Sequence, residues 1–285
     1  MTDQALTIAR ALELAQRIDS DSARLDAELL LCHVLSKPRS YLFTWPERVL
    51  DPTDAAQFKA LLTRRITGEP VAHLTGTREF WTLQLEVSPD TLIPRPDTET
   101  LVEAALATLP DGNYRVADLG TGTGAIALAL ASERSGWQIY ATDRVASAVA
   151  LASRNRDRHQ LANVQVLEGS WCEPLEGQFD LIVSNPPYID ERDPHLSQGD
   201  VRFEPASALV APDQGLADIR LIASQSRDKL VKGGWLILEH GFTQAQAVSD
   251  ILARLGYVNI ETLHDLGGQP RVTRGCWQPG AKDKE

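Results

Sequence analysis

Arg115-Val116-Ala117-Asp118-Leu119-Gly120-Thr121-Gly122-Thr123-Gly124-Ala125-Ile126-Ala127-Leu128-Ala129-Leu130-Ala131 is the stretch on which the fold turns. Its first five residues read as a short strand and its last seven are strongly helix-forming. A glycine-rich strand-to-helix turn lets a ligand approach the backbone and aims helix N-terminal amides at it. Outward from this unit, apolar runs at Arg115–Asp118, Gln138–Asp143, Val164–Glu168, Phe179–Ser184 and Trp235–His240 alternate with helical stretches. Such alternation predicts a doubly wound α/β domain, a mostly parallel sheet covered on both faces. Two further segments, Tyr257–Leu263 and Arg271–Trp277, are joined through Gly267-Gly268 and predict an antiparallel C-terminal hairpin, which brings the sheet to seven strands.

Spacing alone does not name the ligand, because Gly120-x-Gly122-x-x-Ala125 also satisfies the loose dinucleotide fingerprint. Asp118 favours S-adenosylmethionine, since a carboxylate two residues before the first glycine repels a pyrophosphate and attracts an ammonium. Asp143, at the end of its strand, suits two ribose hydroxyls, but an acid there fits a nicotinamide cofactor equally. The choice passes to a second motif.

Phe179-Asp180-Leu181-Ile182-Val183-Ser184 runs straight into Asn185-Pro186-Pro187-Tyr188. Neither proline has a backbone N–H, and each fixes its own φ and biases the residue before it towards extended geometry. The turn therefore continues neither a helix nor a sheet ladder. It can hold the Asn185 side-chain oxygen and the Pro186 carbonyl as two fixed acceptors beside the Tyr188 ring, an arrangement that fits a planar NH₂ group. The plainer alternative is a strand-ending turn, for which Asn and Pro are common residues. In open α/β sheets ligands bind outside the carboxyl ends of the strands. Four consecutive strand ends carry the glycine loop, Asp143, Ser170-Trp171 and Asn185 to one rim.

Residues 1–75 predict a small helical bundle, with faces at Ile8, Leu12, Ala15 and Ile18, at Leu25, Leu29 and Cys32, and at Phe58, Leu61 and Leu62 after an Asp51-Pro52 helix start. Its expected job is to position a partner. Residues 76–97 are expected to form a connector in which a strand at Phe80–Val87 makes a hairpin with Leu92-Ile93, and residues 98–285 the α/β domain. The last four residues, 282–285, are expected to be a frayed tail.

The 285 residues carry a net charge of −11, with nine Lys/Arg against ten Asp/Glu in residues 1–75 and nineteen against twenty-nine in the rest. Neither part offers the basic face that long nucleic acids require, so direct nucleic-acid binding is not expected. The N-terminus shows no secretory pattern, no apolar run approaches the ~20 residues that span a bilayer, and Cys32, Cys172 and Cys276 lack C-x-x-C spacing. A cytoplasmic monomer without a zinc site is expected. The six histidines are scattered without metal-ligand spacing. His195, flanked by Asp193 and Asp200, is the one histidine kept as a candidate, because a substrate loop could dock on the acidic segment around it.

At these residues the chain resembles the class I S-adenosylmethionine-dependent methyltransferases. More closely, it is similar to the family that methylates the glutamine side chain of peptide chain release factors, protein-glutamine N-methyltransferases of the PrmC/HemK type. The resemblance spans Gly68-Glu69-Pro70, Arg78-Glu79-Phe80-Trp81, Leu92 to Glu99, Asp118 to Gly124, Asn185 to Tyr188 and Arg202-Phe203-Glu204-Pro205. It implies that Gly120, Thr121, Gly122, Thr123, Gly124 and Asp143 bind the methionine and ribose parts of the donor, and that Trp171 flanks its adenine. It further implies that Asn185 contacts donor and substrate, that Pro186, Pro187 and Tyr188 complete a glutamine pocket, and that Phe80 and the Pro94–Asp97 turn lie near its mouth. Ser170 departs from the acidic residue common in the family before the tryptophan. The family's substrates carry Gly-Gly-Gln, which also occurs here as Gly267-Gly268-Gln269; a hairpin turn accounts for it.

Three rivals remain. A methyltransferase acting on adenine or guanine amino groups would meet the same two donors, but would need a flipped or single-stranded base. A nicotinamide-dependent dehydrogenase is permitted by the glycine turn but has no use for Asn-Pro-Pro-Tyr. A non-catalytic adaptor acting through residues 1–75 would bind no methyl donor.

Overall fold

The computed structural model describes residues 5–280; the expected frayed tail at 282–285 lies outside them. The chain divides into two compact units, residues 1–77 with 197–203, and residues 78–196 with 204–285.

The first unit contains α1 (Ile8–Glu13), α2 (Ala23–Leu35), α3 (Arg39–Thr44), α4 (Pro52–Ile66) and α5 (Val71–Thr75). α4 starts where Asp51 accepts from the Thr53 N–H and Pro52 takes the first helical position, whose amide needs no partner. Ile8, Leu12, Leu30, Leu31, Phe58 and Leu62 make the core. α2 turns a different face inward from the one expected: Ala27, Leu30 and Leu31 are fully buried, Leu25 is 39% exposed, and Leu29 and Cys32 are half-buried. Three consecutive leucines leave the helical period ambiguous. Asp26 and Glu28 sit on the buried side because Arg65 and Arg39 pair with them at 2.8 and 2.6 Å. Arg65 also holds Asp200 at 2.9 Å, which fastens the 197–203 segment within this unit. That long-range membership has no local signal in the sequence.

The second unit opens with a small two-stranded sheet, β1 (Thr77–Phe80) and β2 (Leu83–Glu86). The expected hairpin is thus displaced. The chain reverses at Trp81, with φ of 57°, and Leu92-Ile93 is not its partner strand. Instead the Ile93 N–H donates to the buried Glu204 carboxylate at 2.9 Å, and Arg95 pairs with the same group at 2.5 Å. After α6 (Glu99–Thr108) come β3 (Arg115–Leu119), α7 (Ala125–Glu133), β4 (Gln138–Asp143), α8 (Ala146–Arg158), β5 (Val164–Glu168) and β6 (Phe179–Ser184). Short helices α9 (Ala206–Leu209) and α10 (Pro212–Gly215) lead to α11 (Ala217–Lys229), β7 (Leu230–Glu239), α12 (Ala245–Arg254), β8 (Tyr257–His264) and β9 (Pro270–Trp277).

These strands form one seven-stranded sheet in the order β5-β4-β3-β6-β7-β9-β8. Pairings are parallel except where β9 runs antiparallel between β7 and β8. Alternation across the strands feeds two apolar layers. Val116, Leu181 and Val183 pack with α6 and α7, while Ala117, Leu119 and Ile182 pack with α11 and α12. Burial on both faces explains why these strands are continuous apolar runs. From β3 the chain goes outward to β4 on one side, and β6 lies on the other. The strand order therefore reverses beside β3, where a crevice opens at the carboxyl ends.

Candidate active site

A cleft of about 940 Å³, open mouth included, lies at that reversal. Its walls come from the β3–α7 loop, the ends of β4, β5 and β6, and the 90–98 connector. The glycine loop hangs on β4, since Gly120 and Thr121 both donate their N–H to the Thr142 carbonyl at 2.9 Å. Gly120 has φ of 71°, and a Cβ there would stand 2.9 Å from the Trp171 ring. Trp171 itself has φ of 47° and its carbonyl accepts from Thr142 Oγ1 at 2.9 Å. Glycine is thus required both by the backbone and by the indole laid against it. Asp143 faces the cleft with its Oδ2 accepting from the Gly122 N–H and its Oδ1 from the Val145 N–H, both at 2.9 Å. Each carboxylate oxygen keeps a second acceptor position for a ligand hydroxyl.

Asp118 is fully buried beneath the loop and is not part of the cleft wall. Its Oδ2 accepts from Thr121 Oγ1 at 2.6 Å and from the Ala127 N–H at 3.2 Å, so a carboxylate caps the start of α7. Its Oδ1 has no partner among the described residues. Burial pushes this carboxyl up to about 7, against the pull of those hydrogen bonds, and the nearby Asp143 charge adds to the rise. The helix N-terminus that would cradle a dinucleotide pyrophosphate is already filled by an acid. A ligand carrying positive charge relieves both carboxyl groups. The residues present therefore fit S-adenosylmethionine, whose ammonium and sulfonium are cationic, and not a pyrophosphate.

At the end of β6, Ser184 Oγ donates to the Leu119 carbonyl at 2.7 Å, which ties this strand end to β3. Asn185 follows, with its Nδ2 donating to Thr98 Oγ1 at 3.2 Å. Its Oδ1 has no protein donor among the described residues, and neither has the Pro186 carbonyl. Two neighbouring acceptors thus remain free, the arrangement a planar NH₂ group would satisfy. Tyr188 is locked at both ends: its hydroxyl bonds to Glu239 Oε1 at 3.4 Å, and its carbonyl accepts from Gln244 Nε2 at 2.9 Å. Burial, with the Glu239 charge beside it, raises the Tyr188 phenol well above the ordinary range.

Residues 5–76 match the model of the PrmC N-terminal domain, and residues 97–217 that of the methyltransferase small domain. The release factor glutamine methyltransferase of Escherichia coli is 56% identical over 263 residues, covering 92% of this chain and 95% of that protein. The enzyme of the same name from Vibrio cholerae is 56% identical over 282 residues, covering 96% and 98%. The chain belongs to the release factor glutamine methyltransferase family. A methyltransferase from Pyrococcus furiosus shares the fold, with a TM-score of 0.54 at 19% identity over 76% of this chain and 97% of that one.

For this family member, the cleft gathers Gly120, Thr121, Gly122, Thr123, Asp143, Trp171, Asn185, Pro187 and Phe80 from the expected set. Three expected residues stand off the wall. Gly124, with φ of 87°, turns the loop into α7, where a Cβ would press on Leu128 and Ala152. Pro186 is buried, and Tyr188 packs into the α11–α12 layer. Thr91, Leu92, Thr98, Arg144, Val145 and Ala148 line the cleft in addition to the residues expected from sequence. Thr98 lies inside the connector motif, but nothing local connects it to Asn185, 87 positions away. His195 is exposed and bonds to Asp193 at 2.7 Å outside the cleft, while Asp200 goes to Arg65. Gly267-Gly268-Gln269 is a hairpin turn closed by Asp265, which accepts from the Gln269 N–H at 2.9 Å. Among the described residues no cluster could hold a metal, and no helix is long and apolar enough to cross a membrane.

Proposed function

We propose that this chain transfers the methyl group of S-adenosylmethionine to the side-chain amide nitrogen of the glutamine in the Gly-Gly-Gln motif of peptide chain release factors. The pair of free acceptors at Asn185 and Pro186 carries the reading. The donor supplies a methyl group on a positively charged sulfur. An amide nitrogen is a weak nucleophile because its lone pair is delocalised into the carbonyl. Asn185 Oδ1 and the Pro186 carbonyl each accept one N–H of the substrate amide. These bonds strengthen as positive charge develops on nitrogen, so they favour the transition state over the ground state. Alignment with the transferred methyl supplies the remaining advantage through proximity. As nitrogen bonds the methyl carbon, the carbon–sulfur bond breaks with its electron pair left on sulfur, now a neutral thioether, and the N-methylated amide gives its extra proton to water. Pro187 and Phe80 bound the pocket, and Tyr188, fixed at both ends, keeps the turn rigid.

Gly120 to Thr123 and Asp143 hold the methionine and ribose parts of the donor, and Trp171 lies along its adenine, with Ser170 in place of an acid beside it. Residues 1–75 position the release factor. The enzyme acts as a cytoplasmic monomer, in keeping with its free cysteines. The deciding experiment supplies labelled methyl donor with a release factor and with a variant whose Gly-Gly-Gln glutamine is replaced. Label on the first alone supports the reading. Label on both places the methyl elsewhere, and label on RNA or DNA instead promotes the amino-methyltransferase of bases.

A further inference from the structure

Within α10, Asp213 and Gln214 both hold φ of 57°, and Gly215 follows with φ of 81°. Two successive residues with side chains in the left-handed region are strained, and both are exposed, so burial does not impose the conformation. A Cβ on Gly215 would stand 1.9 Å from the Tyr188 carbonyl oxygen and 2.8 Å from Gln244 Nε2. The strained turn is thus pressed against the end of Asn-Pro-Pro-Tyr. Resting on the reading of Asn185 and the Pro186 carbonyl as substrate acceptors, we propose that Gln244 is a positioning residue for methyl transfer, which clamps the Tyr188 carbonyl to the 213–215 turn.

The direction of the Gln244 amide is fixed by groups whose roles cannot be exchanged. Its Oε1 accepts from the Gly241 N–H at 2.8 Å, and a backbone N–H only donates. Its Nε2 donates to the Tyr188 carbonyl at 2.9 Å and to the Gln214 carbonyl at 3.0 Å, and a carbonyl only accepts. Turned by 180°, the amide would lose all three bonds. The Gln244 N–H donates in turn to the Gly241 carbonyl at 2.8 Å, so the side chain springs from a tight turn between β7 and α12.

The clamp acts where the proline-bound turn has little support of its own. Pro186 and Pro187 have no N–H to give to a ladder. The Tyr188 carbonyl lies two peptide units after that of Pro186, and the fixed φ of Pro187 between them passes displacement of the one to the other. Beyond Tyr188, the Ile189 N–H donates to the Leu209 carbonyl at 2.9 Å and the Ile189 carbonyl accepts from the Ala211 N–H at 3.1 Å. Ser207 and Ala208, just ahead of that contact, line the cleft. One amide therefore joins the substrate turn, the strained turn and the end of β7. Glycine at 215 permits the approach, and the Gln244 NH₂ bridges two carbonyls that would otherwise repel.

The test measures kcat per donor-binding site at saturating release factor, donor Kd and Tm for Gln244→Leu, Gln244→Glu and Gly215→Ala. Glu keeps an oxygen for the Gly241 N–H but sets its second against the two carbonyls, whereas Leu loses every bond. Both should lower kcat roughly ten-fold, with donor Kd changed less than about two-fold. Gly215→Ala, which drives a methyl into the Tyr188 carbonyl, should lower kcat at least as much. Counting per donor-binding site leaves unfolded protein out, so a loss of Tm alone does not lower kcat. Wild-type kcat in Gln244→Glu would overturn the proposal, because the bond to Gly241 would then be the one that matters. A parallel loss of donor affinity and kcat would overturn it as well. Should Gly215→Ala not fold, the two Gln244 variants decide. A wild-type enzyme that labels no release factor sinks the function proposed above, whereas a labelling wild type with an unaffected Gln244→Glu sinks the clamp alone.

Discussion

The two sides of the cleft are built on opposite principles. On the glycine-loop side, carboxylates do the organising: Asp118 holds the loop and the start of α7 from below, and Asp143 accepts from the loop's Gly122 amide with one oxygen and from the Val145 amide before α8 with the other. On the Asn185 side, a neutral amide lines the cavity, the Pro186 carbonyl after it has no donor among the described residues, and the acid Glu239 is buried. The first side suits a cation and the second an uncharged NH₂. A negative charge placed among the substrate acceptors would favour a protonated amine, and neutral groups on the loop side would hold a sulfonium poorly.

Asn185→Ala should break the comparison most sharply. Turnover is expected to fall by roughly 10²–10³, the usual loss for one preorganised electrostatic partner, while donor binding stays near normal. Single-turnover assays and donor titration separate the two. Equal losses in both would mean that Asn185 chiefly serves the donor wall.

Gly120→Val should act on the opposite wall. With φ of 71° and a Cβ 2.9 Å from Trp171, a side chain there strains the backbone and pushes the indole. Donor affinity should fall on the order of thirty-fold, for strain of about 2 kcal/mol, as read by calorimetry. Adding Trp171→Ala should recover only part of it, because the backbone strain remains.

Asp143→Asn should weaken donor binding roughly ten-fold, as expected when a charged hydrogen bond becomes a neutral one, with kcat at saturating donor little changed. A kcat effect without a Kd effect would contradict its placement on the donor wall.

The smallest effect is one of pH on stability. Burial pushes the Glu239 carboxyl up to about 7, opposed by the Thr98 and Tyr188 hydrogen bonds and the Arg271 charge and reinforced by Asp97. The folded chain therefore retains a proton that the unfolded chain gives up from about pH 4.5 upward. Its stabilising contribution is complete below the unfolded value and is lost as pH rises through about 7. Asp118 adds to the trend in the same direction. Tm should decline between pH 5 and pH 8, and Glu239→Gln should flatten the decline by about a few degrees. A Tm that rises over this range would contradict a neutral buried Glu239.

Much of this site was legible because its signals are local. Glycines between a strand and a helix, and two prolines after an apolar run, restrict the backbone wherever they occur. They marked the loop, the turn and the strand ends that carry them. Residues held in place from afar were not legible. Thr98, Glu204 and Glu239 are unremarkable in their own segments and acquire their parts from Asn185, Ile93 and Tyr188. The buried face of α2 departs from its apolar pattern for a related reason, since Arg65, 39 positions from Asp26, decides what that helix buries.

Sequence by itself determined the alternation of strands and helices, the glycine loop and the proline-bound turn, because hydrophobic period and backbone restriction act over a few residues. Tertiary structure alone decided that α7 is capped by an acid, that residues 197–203 belong to the first unit, and that the Asn185 amide meets the Thr98 hydroxyl. Hydrogen-bond direction and burial depend on partners brought from distant parts of the chain, and no short-range pattern records them.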